Sequence, residues 1–91
     1  VYSRTVIIRH KSGLHVRPAG LFVEAANRFR SAVRVNKGEK QADGRSILSL
    51  MLLEVTPGTE LTISAEGEDE TAAADTLAAL LEGGFDEDPG A

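Results

Sequence analysis

Residues 60–66 read Glu-Leu-Thr-Ile-Ser-Ala-Glu, so Leu61, Ile63 and Ala65 alternate strictly with Glu60, Thr62, Ser64 and Glu66. A period of two over seven residues is the pattern of a strand with one dry face and one wet face. A sheet built on such a strand is covered on one side only, which antiparallel sheets tolerate and parallel sheets do not. The rest of the chain must therefore supply partner strands and a single layer of helices.

It does so in alternation. Residues 1–9 hold Tyr2, Thr5, Val6, Ile7 and Ile8, a β-rich stretch ended by the Lys11-Ser12-Gly13 turn. Residues 16–30 place Ala19, Phe22, Val23, Ala26 and Phe29 on one helical face. Residues 32–36 alternate around Val33 and Val35. Lys37-Gly38 turns the chain into a second hairpin strand over 39–42, and Asp43-Gly44 breaks it. Residues 46–53 form a short apolar run that reads as a helix with Ser46 as N-cap. Pro57-Gly58 makes a turn before the strand at 60–66. Glu68-Asp69-Glu70 puts negative charge where a helix dipole favours it. Residues 71–82 form the last helix, with Ala73, Leu77, Leu80 and Leu81 on one stripe, ended by Gly83-Gly84.

The order βαββαβα predicts an α+β open-faced sandwich. Its four-stranded, mostly antiparallel sheet is covered on one face by three helices. Ninety-one residues fit one domain, expected over 1–85, with 86–91 as a mobile acidic tail.

Charge is unevenly distributed. All ten Lys and Arg lie in residues 1–45 beside three acids, a net of +7; residues 46–91 hold eleven acids and no Lys or Arg, a net of −11. The basic residues are spaced through the elements and form no run, so a compact domain brings the two halves together. No apolar run approaches the roughly 20 residues of a membrane span, and residues 1–9 lack the layout of a secretory signal. With no cysteine there is no disulfide, thiolate metal site or Cys nucleophile. A cytoplasmic monomer without membrane insertion, metal or cofactor is the expectation.

The chemistry concentrates in Ser12-Gly13-Leu14-His15-Val16-Arg17-Pro18. A glycine turn runs straight into a helix, with His15 at the N-cap position. Pro18 in the first turn sacrifices no helical hydrogen bond. The N–H groups of Val16 and Arg17 would point toward anything attached to the His15 ring at this positive helix end, and the Arg17 guanidinium suits phosphate oxygens. A neutral imidazole there can attack phosphorus, and the helix end then steadies the new dianion. Alone, a histidine is more often a surface or capping residue; its neighbours make the difference. His10 reads as a strand-end surface residue, and five residues from His15 without adjacent carboxylates it makes no metal site. No serine sits in a nucleophile-elbow pattern.

A second constellation is Gly44-Arg45-Ser46-Ile47-Leu48-Ser49-Leu50-Met51-Leu52-Leu53. Leu50 and Leu53 suit a sheet-facing side. Ile47, Leu48, Met51 and Leu52 cannot all be buried as well, and an exposed apolar patch on a small domain is a docking surface. Ser46 is an N-cap that could also carry a phosphate.

These residues resemble HPr, the histidine-containing phosphocarrier family of the bacterial phosphoenolpyruvate-dependent sugar phosphotransferase system. Gly13-Leu14-His15-Val16-Arg17-Pro18-Ala19 resembles its phosphorylation motif, Arg45-Ser46-Ile47-Leu48 its regulatory-serine region, and residues 57–63 its last strand. The resemblance implies that His15 takes a phosphoryl group on Nδ1 from phosphorylated enzyme I and passes it to IIA domains of sugar permeases, with no independent turnover. It implies that Arg17 steadies the group, and that an HPr kinase/phosphorylase acts on Ser46 where a lineage has one. Partners would dock on Arg17, Gly20, Leu21, Ile47, Leu48 and Met51. Ser49 and Glu54 stand where the family usually carries glycines, and Gly20 weakens its helix by roughly 1 kcal/mol relative to Ala. Glu54 is expected to change how the second helix ends.

Two other readings stay open: a module whose Ser46-phosphorylated form serves a transcription regulator, and a paralogue in a nitrogen-related phosphorelay, a fructose-specific system or a dihydroxyacetone kinase. Nucleic-acid binding is disfavoured by a net charge of −4 and by strands without paired aromatics.

Overall fold

A computed structural model describes residues 1–9, 14 and 16–83. The elements follow the expected order: β1 (Tyr2–Ile7), α1 (Val16–Ala26), β2 (Ala32–Lys37), β3 (Lys40–Asp43), α2 (Ile47–Met51), β4 (Glu60–Glu66) and α3 (Glu70–Glu82). The four strands form one sheet in the order β1-β4-β2-β3. Every ladder is antiparallel: Tyr2 faces Ala65, Val35 faces Ile63 and Val35 faces Ala42.

The alternation of residues 60–66 maps directly onto the sheet. Leu61, Ile63 and Ala65 are buried, as are Val33, Val35 and Ala42 beside them and Val6 in β1. The helices cover this face. Phe22 of α1, Leu50 of α2, and Leu77 and Leu81 of α3 are fully buried in one core with the strand residues. The opposite face is open and polar. There Ser3 and Ser64 hydroxyls pair across β1 and β4 at 2.9 Å, and Thr5 and Thr62 at 3.1 Å.

Several boundaries differ from the sequence reading. α1 stops at Ala26 rather than running to residue 30. The amides of Arg28 and Phe29 turn to the carbonyls three residues back, 3.1 Å each, which tightens the chain out of the helix. Asp69 then captures the exit: its carboxylate accepts from the Arg30 and Ser31 amides at 2.9 Å each and from the Ser31 hydroxyl at 2.5 Å. Phe29 consequently leaves the α1 face and packs with Tyr2 on a second small cluster of Ala65, Ala73 and Ala74. Because Asp69 is spent on that loop, it makes no side-chain cap on α3, although it occupies the N-cap position. Glu70 starts α3 one residue earlier than expected, its Oε1 accepting from the Gly67 amide at 3.1 Å.

β3 includes Asp43, one residue past the expected break. Gly44 follows it with its Cα against Val33; a Cβ there would lie 2.5 Å from Val33 Cγ1, so only glycine allows this approach. Gly83 caps α3 in an ordinary right-handed conformation, φ −73°, not the left-handed one that glycine often supplies. Residues 84–91, with the expected acidic tail, lie outside the described residues, as do His10, the 11–13 turn and His15.

Candidate functional site

The site is assembled by α1, α2 and the loop between α2 and β4. α1 begins at Val16, the residue directly after His15. Val16 is 59% exposed and Arg17 is exposed, so the first turn of α1 lies at the surface. Pro18 and Ala19 turn the other way and are buried. On the other side of His15, Leu14 is buried, and its amide donates to the Val55 carbonyl at 3.2 Å. Both neighbours of His15 are thus placed, one in the core and one at an open helix start.

α2 lies beside α1. Its Ser46 N-cap is in extended conformation, and Ser46 Oγ accepts from the Ser49 amide at 3.1 Å, as the sequence reading expects of a capping serine. Leu50 and Leu53 are buried, while Ile47, Leu48, Met51 and Leu52 are all exposed, Leu48 at 69% and Leu52 at 66%. The apolar patch inferred from the sequence is therefore present on the surface. Gly20 and Leu21 of α1 are half-buried. A Cβ built on Gly20 would sit 3.9 Å from Ile47 Cδ1, an ordinary contact, so Gly20 marks where the patch meets α1.

Two basic side chains that the sequence reading did not single out hold α2 in place. The Arg45 guanidinium donates to the carbonyls of Ala26 and Phe29 at 3.1 and 2.6 Å, tying the start of α2 to the end of α1. The Lys37 ammonium donates to the carbonyls of Leu53 and Glu54 at 2.9 Å each, closing the other end. These partners lie 16 to 19 residues away in sequence, beyond any local spacing rule.

Glu54 leaves the helix end in the form that a glycine would give it. Among the described residues it is the only non-glycine with positive φ, +56°. The chain thus makes the left-handed turn that a glycine would make there, but with a side chain in place. α2 ends at Met51 and does not run longer. The Glu54 carboxylate lies 3.6 Å from Lys40 Nζ, both largely exposed.

The fold is that of small proteins that display a helix start next to an apolar helix. The sequence model of the family described as "PTS HPr component, phosphorylation site" matches residues 2–83. The chain is 49% identical over 77 residues to the HPr-like protein Crh of Bacillus subtilis, covering 85% of this chain and 91% of that one. It is 47% identical over 81 residues to the phosphocarrier protein HPr of Haemophilus influenzae, covering 89% and 95%. A crystal structure of HPr from Thermoanaerobacter tengcongensis superposes with a TM-score of 0.90 at 41% identity, covering 94% of this chain and 97% of that one. The chain belongs to the HPr family of phosphocarrier proteins of the phosphotransferase system. No described helix is long and apolar enough to cross a membrane.

Proposed function

We propose that this chain accepts a phosphoryl group on His15 from phosphorylated enzyme I and hands it to IIA domains of sugar permeases in the cytoplasm. The carrying observation is the start of α1 at Val16, with Val16 and Arg17 exposed in its first turn. Pro18, the third residue of that turn, brings no N–H, so the backbone donors of the turn come from Val16 and Arg17. In the transfer, His15 Nδ1 in its neutral form attacks phosphorus; the new N–P bond forms as the bond to the donor breaks. The helix-start amides and the Arg17 guanidinium meet the negative oxygens. Their hold must stay moderate, because tight binding of the phosphorylated state would slow the onward step.

The apolar surface of Ile47, Leu48 and Met51, continued by Gly20 and Leu21, is the docking face for both donor and acceptor. A surface of Met and Leu adapts to more than one partner. Incubation with a cognate enzyme I and phosphoenolpyruvate should give an acid-labile adduct on His15, absent in His15→Ala. No adduct, or an adduct on another residue, would overturn this reading.

A regulatory second role is favoured by Ser46. Its side chain is half-exposed at the start of the docking helix, and the likeness to the HPr-like protein Crh is close. An HPr kinase/phosphorylase would act on it, and the modified protein would serve a transcription regulator. A phosphate there adds a charge of about −1.5 to −2 beside the docking face. Ser46→Asp should therefore slow His15 phosphorylation; equal rates for variant and wild type would remove the antagonism. If Ser46→Ala leaves regulator binding unchanged in the presence of kinase and ATP, the regulatory role fails.

A further inference from the structure

The segment between α2 and β4 touches both flanks of the phosphorylation motif. Before the motif, the Ile8 amide donates to the Thr59 carbonyl at 2.9 Å, and the Gly58 amide donates to the Ile8 carbonyl at 2.7 Å. After the turn, the Leu14 amide donates to the Val55 carbonyl at 3.2 Å. One loop thus brackets residues 9–13 at both ends.

The loop is stiff over its second half. Thr56-Pro57-Gly58-Thr59 closes a turn with the Thr59 amide on the Thr56 carbonyl at 3.1 Å, and Gly58 at φ +89° meets the requirement of a type II turn with Pro before it. The Thr56 amide also donates to Thr59 Oγ1 at 3.2 Å.

Its first half is different. Glu54 sits in a left-handed conformation that disfavours a side chain. Lys37 opposes relaxation of this residue, its ammonium holding the carbonyls on either side of the Glu54 Cα, and the Glu54 amide adds a bond to the Met51 carbonyl at 3.1 Å. Val55 is the next residue, itself buried.

We infer that Lys37 is a positioning residue for phosphoryl transfer: by clamping the Leu53 and Glu54 carbonyls it fixes Val55, and Val55 fixes Leu14, the neighbour of His15. The two bonds that Lys37 makes go to backbone carbonyls. It lies on β2 and acts through two backbone links. A charged donor is suited to this, since its bonds to carbonyls are stronger than neutral ones.

The inference rests on His15 being the acceptor, and its test separates the two. Lys37→Met keeps the aliphatic stem and removes the ammonium. Amide hydrogen exchange should then speed up about tenfold at Leu14, with the Val35 amide in the sheet centre unchanged. Lys37→Arg should restore most of the protection. With phosphorylated enzyme I as donor, kcat should fall severalfold in Lys37→Met, beyond any rise in KM that follows from loosening the end of α2. Unchanged exchange at Leu14, or equal acceleration at Leu14 and Val35, would overturn the inference; so would a change confined to KM. The exchange readout needs no phosphoryl transfer, so it stands even if His15 proves not to be the acceptor.

Discussion

α2 and α3 are both leucine-rich helices on the same side of one sheet, yet they use their leucines in opposite ways. α3 spans thirteen residues and buries Ala73, Ala74, Leu77, Ala78 and Leu81. α2 spans five and buries only Leu50 within its length, leaving Ile47, Leu48 and Met51 outside. A helix as short as α2 does not hold itself together in water. It is held instead from outside, by the Ser46 cap, Arg45 and Lys37. An apolar helix is thus a wall when packing supports it and a display when other elements clamp it. The second arrangement leaves an apolar surface exposed without asking it to stabilise the fold.

The largest expected contrast is between Leu77 and Leu48. Leu77→Ala should lose about 2–5 kcal/mol in urea unfolding. Leu48→Ala should stay within about 0.5 kcal/mol of wild type but raise the KM for enzyme I severalfold. If Leu48→Ala destabilised the protein as much as Leu77→Ala, the distinction between wall and display would collapse.

A second contrast lies in what ties each helix down. α3 is tied through carboxylates. The Ser31 hydroxyl, with help from the Arg30 amide, holds Asp69 below the usual carboxylate range. Arg4, joined by the Tyr2 hydroxyl, does the same for Asp75, whose Oδ1 accepts from them at 2.7 and 2.9 Å. A carboxyl with a lowered folded pKa contributes stability above its unfolded pKa of about 4 and loses it as pH falls through the lower folded value. The melting temperature should therefore hold from neutral pH to about pH 5 and drop below it. The double variant Asp69→Asn, Asp75→Asn should melt several degrees lower at neutral pH and show a flatter acid limb. An acid limb as steep as that of wild type would assign the pH dependence elsewhere. The clamps on α2 are made by Lys37, Arg45 and a serine hydroxyl, with no carboxylate among them.

The smallest effect is at the end of α2. Glu54→Gly should relieve the left-handed backbone and stabilise the protein by about 0.5–1 kcal/mol, net of the glycine's greater freedom when unfolded. The exposed pair with Lys40 offsets little of that. A loss of stability in chemical denaturation would mean that the carboxylate does more than fill a turn.

Much of this arrangement is legible in the sequence because it is local. The period of two at residues 60–66 fixes β4 with its observed boundaries, and a serine ahead of an apolar run marks the α2 cap. The count of apolar positions on so short a helix already implies that some stay exposed, as they do. The end of α1 is not legible. Nothing at residues 27–30 breaks a helix outright, and the group that ends it, Asp69, lies 38 residues ahead of Ser31. Lys37 and Arg45 are hidden for the same reason: each binds backbone carbonyls, which carry no side-chain signature. Glu54 announces a difference by standing where a glycine is usual, but the sequence does not say whether the helix lengthens or the backbone bends. The buried Leu53 and the clamped carbonyls decide for bending.

The strand order has a further consequence for how the molecule comes into being. β1 borders only β4, and Tyr2 meets Ala65 there. β4 also stands between β1 and β2, so among the described residues the β2–β3 hairpin is the only ladder that can close from nearby residues. Until β4 has been synthesised, the first strand has no hydrogen-bonding neighbour and the central row of the core is missing. Joining segments so distant in sequence carries the loop-closure penalty before the contacts repay it, and slows folding accordingly. The alternating heptapeptide at residues 60–66 is therefore also a clock. Before its arrival a nascent chain cannot assemble the sheet of this protein, and α3 must still follow to complete the core.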